Sequence, residues 1–310
     1  MKRDLLSIKD LSNEEVLDIL KLTTQLKEYK GRSSDYLKGL NIGLLFQKPS
    51  NRTRVSFEVG ISQLGGNCIY LGPKEINLGV RESTTDVSKT LSRYLNGIVA
   101  RTHTHQDIVQ LTKSADIPVI NGLSDLYHPC QGLTDIFSIK EKFKSLKGLT
   151  VAYVGDGNNV CHSLLQGCSK TGINLRIATP KGYEPKKSIV SETKTFAKET
   201  KATIKLTNSP KEAVKGANII YSDVWVSMGQ EEESQKRLKD FENYQINEEL
   251  VKTADKDYIY MHCLPAHRGQ EVTSGIIDNI KHSIIFDQAE NRLHTQKAIL
   301  IFLLSSEHSD

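Results

Sequence analysis

From Leu40 onward the chain alternates short apolar runs with segments of helical periodicity, and this alternation limits its folds more than any other feature. The runs at 41–46, 68–71, 97–101 and 117–120 predict strands, and 53–64, 85–95, 106–114 and 131–145 predict the helices among them. Lys147-Gly148 marks a boundary. A second series follows, with strands predicted at 149–154, 174–178, 203–206, 218–222, 257–262 and 283–286, helices between them, and a last helix at about 288–304. Ahead of both series, Ser12-Asn13-Glu14-Glu15 reads as a capping box, and Val16, Ile19 and Leu20 follow at helical spacing toward Tyr29. Strands alternating with helices specify α/β architecture, in which parallel sheets are covered by helices. The expectation is two domains, each a mainly parallel sheet flanked by helices, with the active site in the cleft between them. Residues 1–146 form the first, joined by the C-terminal helix (about 288–310), and 147–287 form the second. Ligands of open parallel sheets sit outside the carboxyl ends of the strands, and the polar clusters of this chain fall there.

The chain's 310 residues suffice for two ordinary domains. The formal charge of +4 is spread without a long Lys/Arg block, which points away from nucleic acid and suits a small anionic substrate. Five cysteines lack CxxC spacing and are odd in number, so reduced thiols in a cytoplasmic protein are expected, not a disulfide framework or structural zinc. The start lacks the apolar core of a signal peptide, and the longest apolar run, Ala298 to Leu304, is too short to span a bilayer.

Between the first strand and the next helix lies Pro49-Ser50-Asn51-Arg52-Thr53-Arg54. A helix start offers free N–H groups and the positive end of the dipole. Guanidiniums and hydroxyls added there make a socket for a small dianion such as phosphate; the plainer reading is an ordinary N-cap with exposed basic residues. Arg101 ends a strand and is either another anion donor or a surface charge. His128-Pro129-Cys130-Gln131 follows the next strand: His128 can donate to a carbonyl and Gln131 can accept from an amide, or the pair can simply bond its own loop. In the second series, Gly155-Asp156-Gly157-Asn158-Asn159 closes a strand and opens a helix. It lacks the third glycine of a dinucleotide loop, which argues against a nicotinamide-dependent oxidoreductase, and its asparagines suit a carboxylate. Asp223, ahead of Trp225, Ser227 and Met228, can partner an ammonium or sit in a solvated turn. His262-Cys263-Leu264-Pro265 closes a further strand, its thiol a nucleophile or a structural group. Arg292 opens the last helix. His103-Thr104-His105 has no third ligand nearby, so no metal is expected.

Seven such clusters in this order are specific together. From end to end the chain resembles the aspartate/ornithine carbamoyltransferase family. The correspondence runs through Ser50 to Arg54, Arg101, His128 to Gln131, Gly155 to Asn159, Asp223 to Gly229, His262 to Pro265 and Arg292. Asn51 departs from the threonine usual in the family, which leaves its backbone N–H for the phosphate and puts its side-chain contact in question. The resemblance implies carbamoyl transfer from carbamoyl phosphate to the δ-amine of L-ornithine, giving L-citrulline and phosphate. The Ser-Met-Gly and His-Cys-Leu-Pro pair favours ornithine; another amine such as putrescine is the alternative.

By resemblance, Ser50, Asn51, Arg52, Thr53, Arg54, Asn77, Arg101, His128, Gln131, Cys263, Leu264 and Arg292 would bind carbamoyl phosphate. Asn159, Asp223, Ser227 and Met228 would hold ornithine, and Arg101, His128, Asp223 and Cys263 would serve the chemistry. Neither a metal nor an organic cofactor is expected, because the leaving phosphate is already activated. A homotrimer or a multiple of trimers is implied.

Overall fold

The computed structural model describes residues 2–29, 34–76, 78–79, 81–227, 229 and 231–305. Asn77 and Met228 lie outside them. Contacts divide the chain into two compact units, Met1–Phe137 with Glu290–Asp310, and Ser138–Ala289.

The first unit opens with α1 (Asn13–Glu28), whose start carries the expected capping box. Glu15 N–H donates to Ser12 Oγ at 3.1 Å, and Ser12 N–H donates to the Glu15 carboxylate at 2.8 Å. There follow β1 (Asn41–Phe46), α2 (Asn51–Gln63), β2 (Asn67–Leu71), α3 (Pro73–Ile76), α4 (Thr84–Leu91), β3 (Gly97–Arg101), α5 (His105–Ser114), β4 (Val119–Leu123) and α6 (Pro129–Phe143). All four strands pair in parallel, in the order β2-β1-β3-β4. The chain runs from β1 out to β2, then returns to the other flank of β1 for β3, so the strand order reverses between β1 and β3. Loops leaving the carboxyl ends of two such strands diverge and leave a crevice. Phe46 pairs with Arg101 across it.

The second unit comprises β5 (Thr150–Val154), α7 (Asn159–Thr171), β6 (Asn174–Ala178), α8 (Lys187–Thr200), β7 (Ile204–Thr207), α9 (Pro210–Val214), β8 (Ile219–Ser222), α10 (Ser234–Asp240), α11 (Glu248–Val251), β9 (Ile259–His262) and α12 (Ser274–Ile277). The last helix, α13 (Ile285–Leu304), begins here and ends in the first unit. Its sheet is also parallel, in the order β7-β6-β5-β8-β9, with the reversal between β5 and β8. Central strands are covered on both faces, hence their largely apolar runs: every residue of β3, β5 and β8 is buried.

One local expectation changes. Residues 283–286 are not a strand. Ser283 makes a single bridge to Tyr260, and the Ile284 carbonyl already accepts the Gln288 N–H at 2.8 Å, so the helical bond pattern takes over. In α2 the buried face is Thr53, Phe57, Gly60 and Ile61, while Val55 and Val59 are exposed, because 55 and 59 lie on the opposite side of the helix. All five cysteines are free thiols.

Gly157 shows where the backbone admits no side chain. A Cβ there would lie 2.2 Å from Pro185 N and 2.5 Å from the Glu184 carbonyl carbon. Backbone cannot yield as a flexible side chain does, so Gly157→Ala should cost about 3 kcal/mol. That is a fall in Tm of several degrees, measurable by calorimetry.

Candidate functional site

The first cluster lies at the β1/β3 crevice. Ser50 is the N-cap of α2, its Oγ accepting the Thr53 N–H at 3.3 Å. The hydroxyl proton stays available to a ligand while the oxygen caps the helix. Thr53, in the first turn, is buried; its Oγ1 accepts from Arg292 Nη2 at 3.1 Å. Arg292 Nη1 donates to Gln131 Oε1 at 2.6 Å, and Gln131 Nε2 donates to Asp135 at 2.8 Å. With the Gln296 amide oriented so that its oxygen faces Arg292, that oxygen accepts from Nη2 at 2.9 Å and Nε at 3.2 Å. Arg292 is thereby held from three sides, by α2, by α6 and by its own helix.

Arg101 is 8 % exposed at the end of β3, and its Nε has no hydrogen-bond partner among the described residues. Burial, then Arg292 and Arg52, pull it down to about 10, so it is still charged at neutral pH. The same surroundings act on His128 from three sides. Burial first, then Arg292, Arg101 and Arg52, push its pKa well below the usual imidazole value. The ring is therefore neutral near pH 7 and offers one N–H donor. Crowded guanidiniums around a neutral imidazole at a helix start form a receptor for multiple negative charge.

Two members of the predicted set stand apart. Arg54 Nε donates to Glu58 at 2.8 Å, and its guanidinium lies 3.6 Å over the Tyr70 ring. One helical position separates it from Thr53, yet that turns it onto another face. The Asn51 side chain is exposed, leaving its backbone N–H as the helix-start donor. His105 bonds Ser124 at 3.0 Å and packs edge-on against Tyr127, so the HxH pair serves the loop.

The second cluster lies at the β5/β8 reversal. Asn158 caps α7, Oδ1 accepting from Val160 N–H and Cys161 N–H at 3.0 and 3.1 Å. Its Nδ2 donates to Asp223 Oδ2 at 2.8 Å. Asp223, 4 % exposed beyond β8, also accepts the Val224 N–H at 2.8 Å and the Cys263 thiol at 3.1 Å, both on Oδ1. Asn159, one residue after the cap, is half-buried beside this group, and Ser227 is half-buried on the segment following Asp223. That segment is anchored from α10. Arg237 Nε donates to the Trp225 carbonyl at 2.6 Å, and the same guanidinium pairs with Asp156 in the Gly155 loop. Burial raises the Asp156 carboxyl to about 6 against the pull of Arg237, so it is ionised at neutral pH and the pair persists.

Among the described residues, Asp223, His262 and Cys263 are the group whose ligand atoms could surround a cation, all within 4.8 Å of one another. His262 Nδ1 and the Cys263 thiol are already engaged, however. His262 Nδ1 accepts the Leu264 N–H at 2.9 Å, and the thiol proton points at Asp223. A cation would have to displace both.

Residues 3–141 match the family model of the aspartate/ornithine carbamoyltransferase carbamoyl-P binding domain, and 147–303 match that of the Asp/Orn binding domain. The chain belongs to the aspartate/ornithine carbamoyltransferase family. It is 50% identical over 305 residues to an ornithine carbamoyltransferase of Oceanobacillus iheyensis, covering 98% of this chain and 94% of that one. An ornithine carbamoyltransferase of Pyrococcus horikoshii is 48% identical over 304 residues, covering 97% and 96%. The solved ornithine carbamoyltransferase of Pyrococcus furiosus superposes with a TM-score of 0.95 at 47% identity, covering 98% of this chain and 97% of that one.

In this carbamoyltransferase-family chain, Gln296 and Arg237 join the candidate site without a reading from sequence, and Asn158, read only as one of the asparagines of the Gly155 loop, takes a specific partner there. An N-cap asparagine was visible in Asn158, but its second bond, to Asp223, joins residues 65 positions apart. Arg237 and Gln296 carry no local signal, since each is read by partners on distant elements.

Proposed function

We propose that this chain is an ornithine carbamoyltransferase, transferring the carbamoyl group of carbamoyl phosphate to the δ-amine of L-ornithine to give L-citrulline and phosphate. The observation that carries the reading is the convergence of Arg52, Arg101 and Arg292 on the neutral His128 at the start of α2. In this proposal the first unit takes carbamoyl phosphate and the second takes ornithine. Ser50, the Asn51 and Arg52 backbone, Arg52, Thr53 and Arg101 grip the phosphate. Thr53, Arg101 and His128 donate to the carbonyl oxygen as it gains charge. Gln131 and the Leu264 carbonyl receive the carbamoyl amino group, and Arg292 orients Gln131 while adding positive charge. Arg54, engaged by Glu58, keeps only a backbone role in this arrangement.

Asn159, Ser227 and Met228 take the α-carboxylate and α-amino end of ornithine, and Asp223 and Cys263 face the attacking amine. A free alkylammonium has a pKa near 10.4, so the proton must leave before attack. Burial near cations favours that loss, while Asp223 opposes it. The N–C bond then forms as the carbonyl C–O(phosphate) bond breaks, and the leaving phosphate takes the amine's second proton. Holding both reactants in one orientation supplies much of the rate. We also place the enzyme in the cytoplasm, in arginine biosynthesis, as a homotrimer or a multiple of trimers. No helix among the described residues is long and apolar enough to cross a membrane.

The test is citrulline formation from carbamoyl phosphate with ornithine and putrescine side by side. Ornithine should be used at least a hundredfold better, and equal use would overturn the assignment of Asn159 and Ser227. Below the amine pKa, kcat/KM for ornithine should rise by about tenfold per pH unit between pH 6 and 8. Cys263→Ala should lower kcat/KM for ornithine by roughly tenfold or more, with the KM for carbamoyl phosphate within twofold. A carbamoylated thiol trapped on Cys263 would point instead to covalent catalysis.

A further inference from the structure

Glu271 is fully buried. Its Oε1 accepts the His267 N–H at 2.6 Å and lies 3.3 Å from His262 Nε2, whose ring is also buried. The other ring nitrogen of His262 accepts the Leu264 N–H at 2.9 Å. Because Nδ1 is an acceptor, the neutral ring carries its proton on Nε2, facing the carboxylate. The His262 N–H in turn donates to Gln288 Oε1 at 2.9 Å, so the residue is pinned at both backbone and ring. Between His262 and His267 the chain makes a sharp turn. Leu264 has a φ of 59°, a left-handed conformation that costs a branched residue energy unless its surroundings enforce it. The thiol of Cys263, on this turn, is aimed at Asp223.

We propose that Glu271 is a positioning residue: through His262 on one side and the His267 N–H on the other, it straps the turn that presents Cys263 and the Leu264 carbonyl to substrate. This rests on the roles given above to Cys263 and Leu264. The physical argument is that both ends of a strained six-residue segment converge on one buried carboxylate oxygen. With that carboxylate removed, the His267 N–H loses its hydrogen-bond acceptor and the His262 Nε2–H loses the charge it faces at 3.3 Å, so Leu264 can relax to negative φ, swinging the thiol away from Asp223. A further consequence is that His262 is not poised as the base for a Cys263 nucleophile, because the Nδ1 lone pair already accepts the Leu264 N–H and Nε2 carries the proton.

The test uses the full chain. Glu271→Met fills the space without an acceptor, and Glu271→Gln keeps an oxygen at the Oε1 position. Glu271→Met should raise the KM for ornithine by at least tenfold and, because the Leu264 carbonyl moves with the turn, that for carbamoyl phosphate by a smaller factor. Labelling of Cys263 by iodoacetamide, read by peptide mass, should accelerate at least fivefold. Glu271→Gln should return all three to within threefold of the parent. A folded Glu271→Met protein with unchanged ornithine KM and unchanged labelling would overturn the proposal. If Glu271→Met does not fold, nitrogen chemical shifts of His262 in the parent protein decide: an Nε2–H tautomer supports the strap, and an Nδ1–H tautomer overturns it. Absence of any citrulline formation by the parent would defeat the functional reading, whereas labelling and tautomer would still judge the strap.

Discussion

Arg101→Met should lower kcat/KM for carbamoyl phosphate by about a thousandfold, the range seen when a preorganised donor to a developing oxyanion is lost. The methionine fills most of the space of the arginine stem, so the site should not collapse. The same variant should unfold at the same temperature or higher. Arg101 is buried at the end of β3, and Arg292 and Arg52 are the nearby charges that lower its pKa, so removing it relieves repulsion between like charges. Function and stability are opposed here because the cluster is arranged for a dianion, not for itself. Steady-state kinetics and calorimetry on one preparation check both halves. A loss of activity with a lower Tm would mean that Arg101 is structural.

Asp223→Asn should lower kcat for citrulline formation by at least a hundredfold, with a rise in the KM for ornithine. The carboxylate accepts three donors, from Asn158, Val224 and Cys263. An asparagine of the same shape offers one accepting oxygen, and its NH₂ must face another donor, so one of the three bonds is replaced by a donor–donor contact. Loss of the negative charge also removes the partner proposed for the incoming ammonium. Pulling on Asn158 should loosen the cap of α7, and a modest fall in Tm is expected, about 1 kcal/mol in stability. Asp223→Ala, which leaves all three donors without an acceptor, should cost more stability than Asp223→Asn and be equally inactive. Activity of Asp223→Asn within threefold of the parent would remove Asp223 from the amine's surroundings.

Much of the fold was legible because its signals are local. The Ser12 capping box, the largely apolar strands and the alternation of strand with helix follow from backbone hydrogen bonding and burial over a few residues. The single lost element, 283–286, is an apolar run too short for its periodicity to separate strand from helix. A contact with β9 competed there with the first bond of α13, and the helix won. The candidate site was read as a set of strand ends, and Ser50, Arg101, His128, Asp223 and Cys263 do stand at or after strand ends in the structure.

By itself the sequence determined which strands and helices form and which polar residues stand at their ends, because those choices are settled within one or two turns of chain. Only the tertiary structure decided which of those residues meet. Arg52 joins the cationic group while Arg54 turns to Glu58 and Tyr70, since adjacent helical positions lie about 100° apart. Asn158, rather than its neighbour, reaches Asp223, and Arg292 returns from the far end of the chain to hold Thr53 and Gln131. The reason is geometric. The strand order reverses between β1 and β3 and again between β5 and β8, and no stretch of sequence contains that reversal.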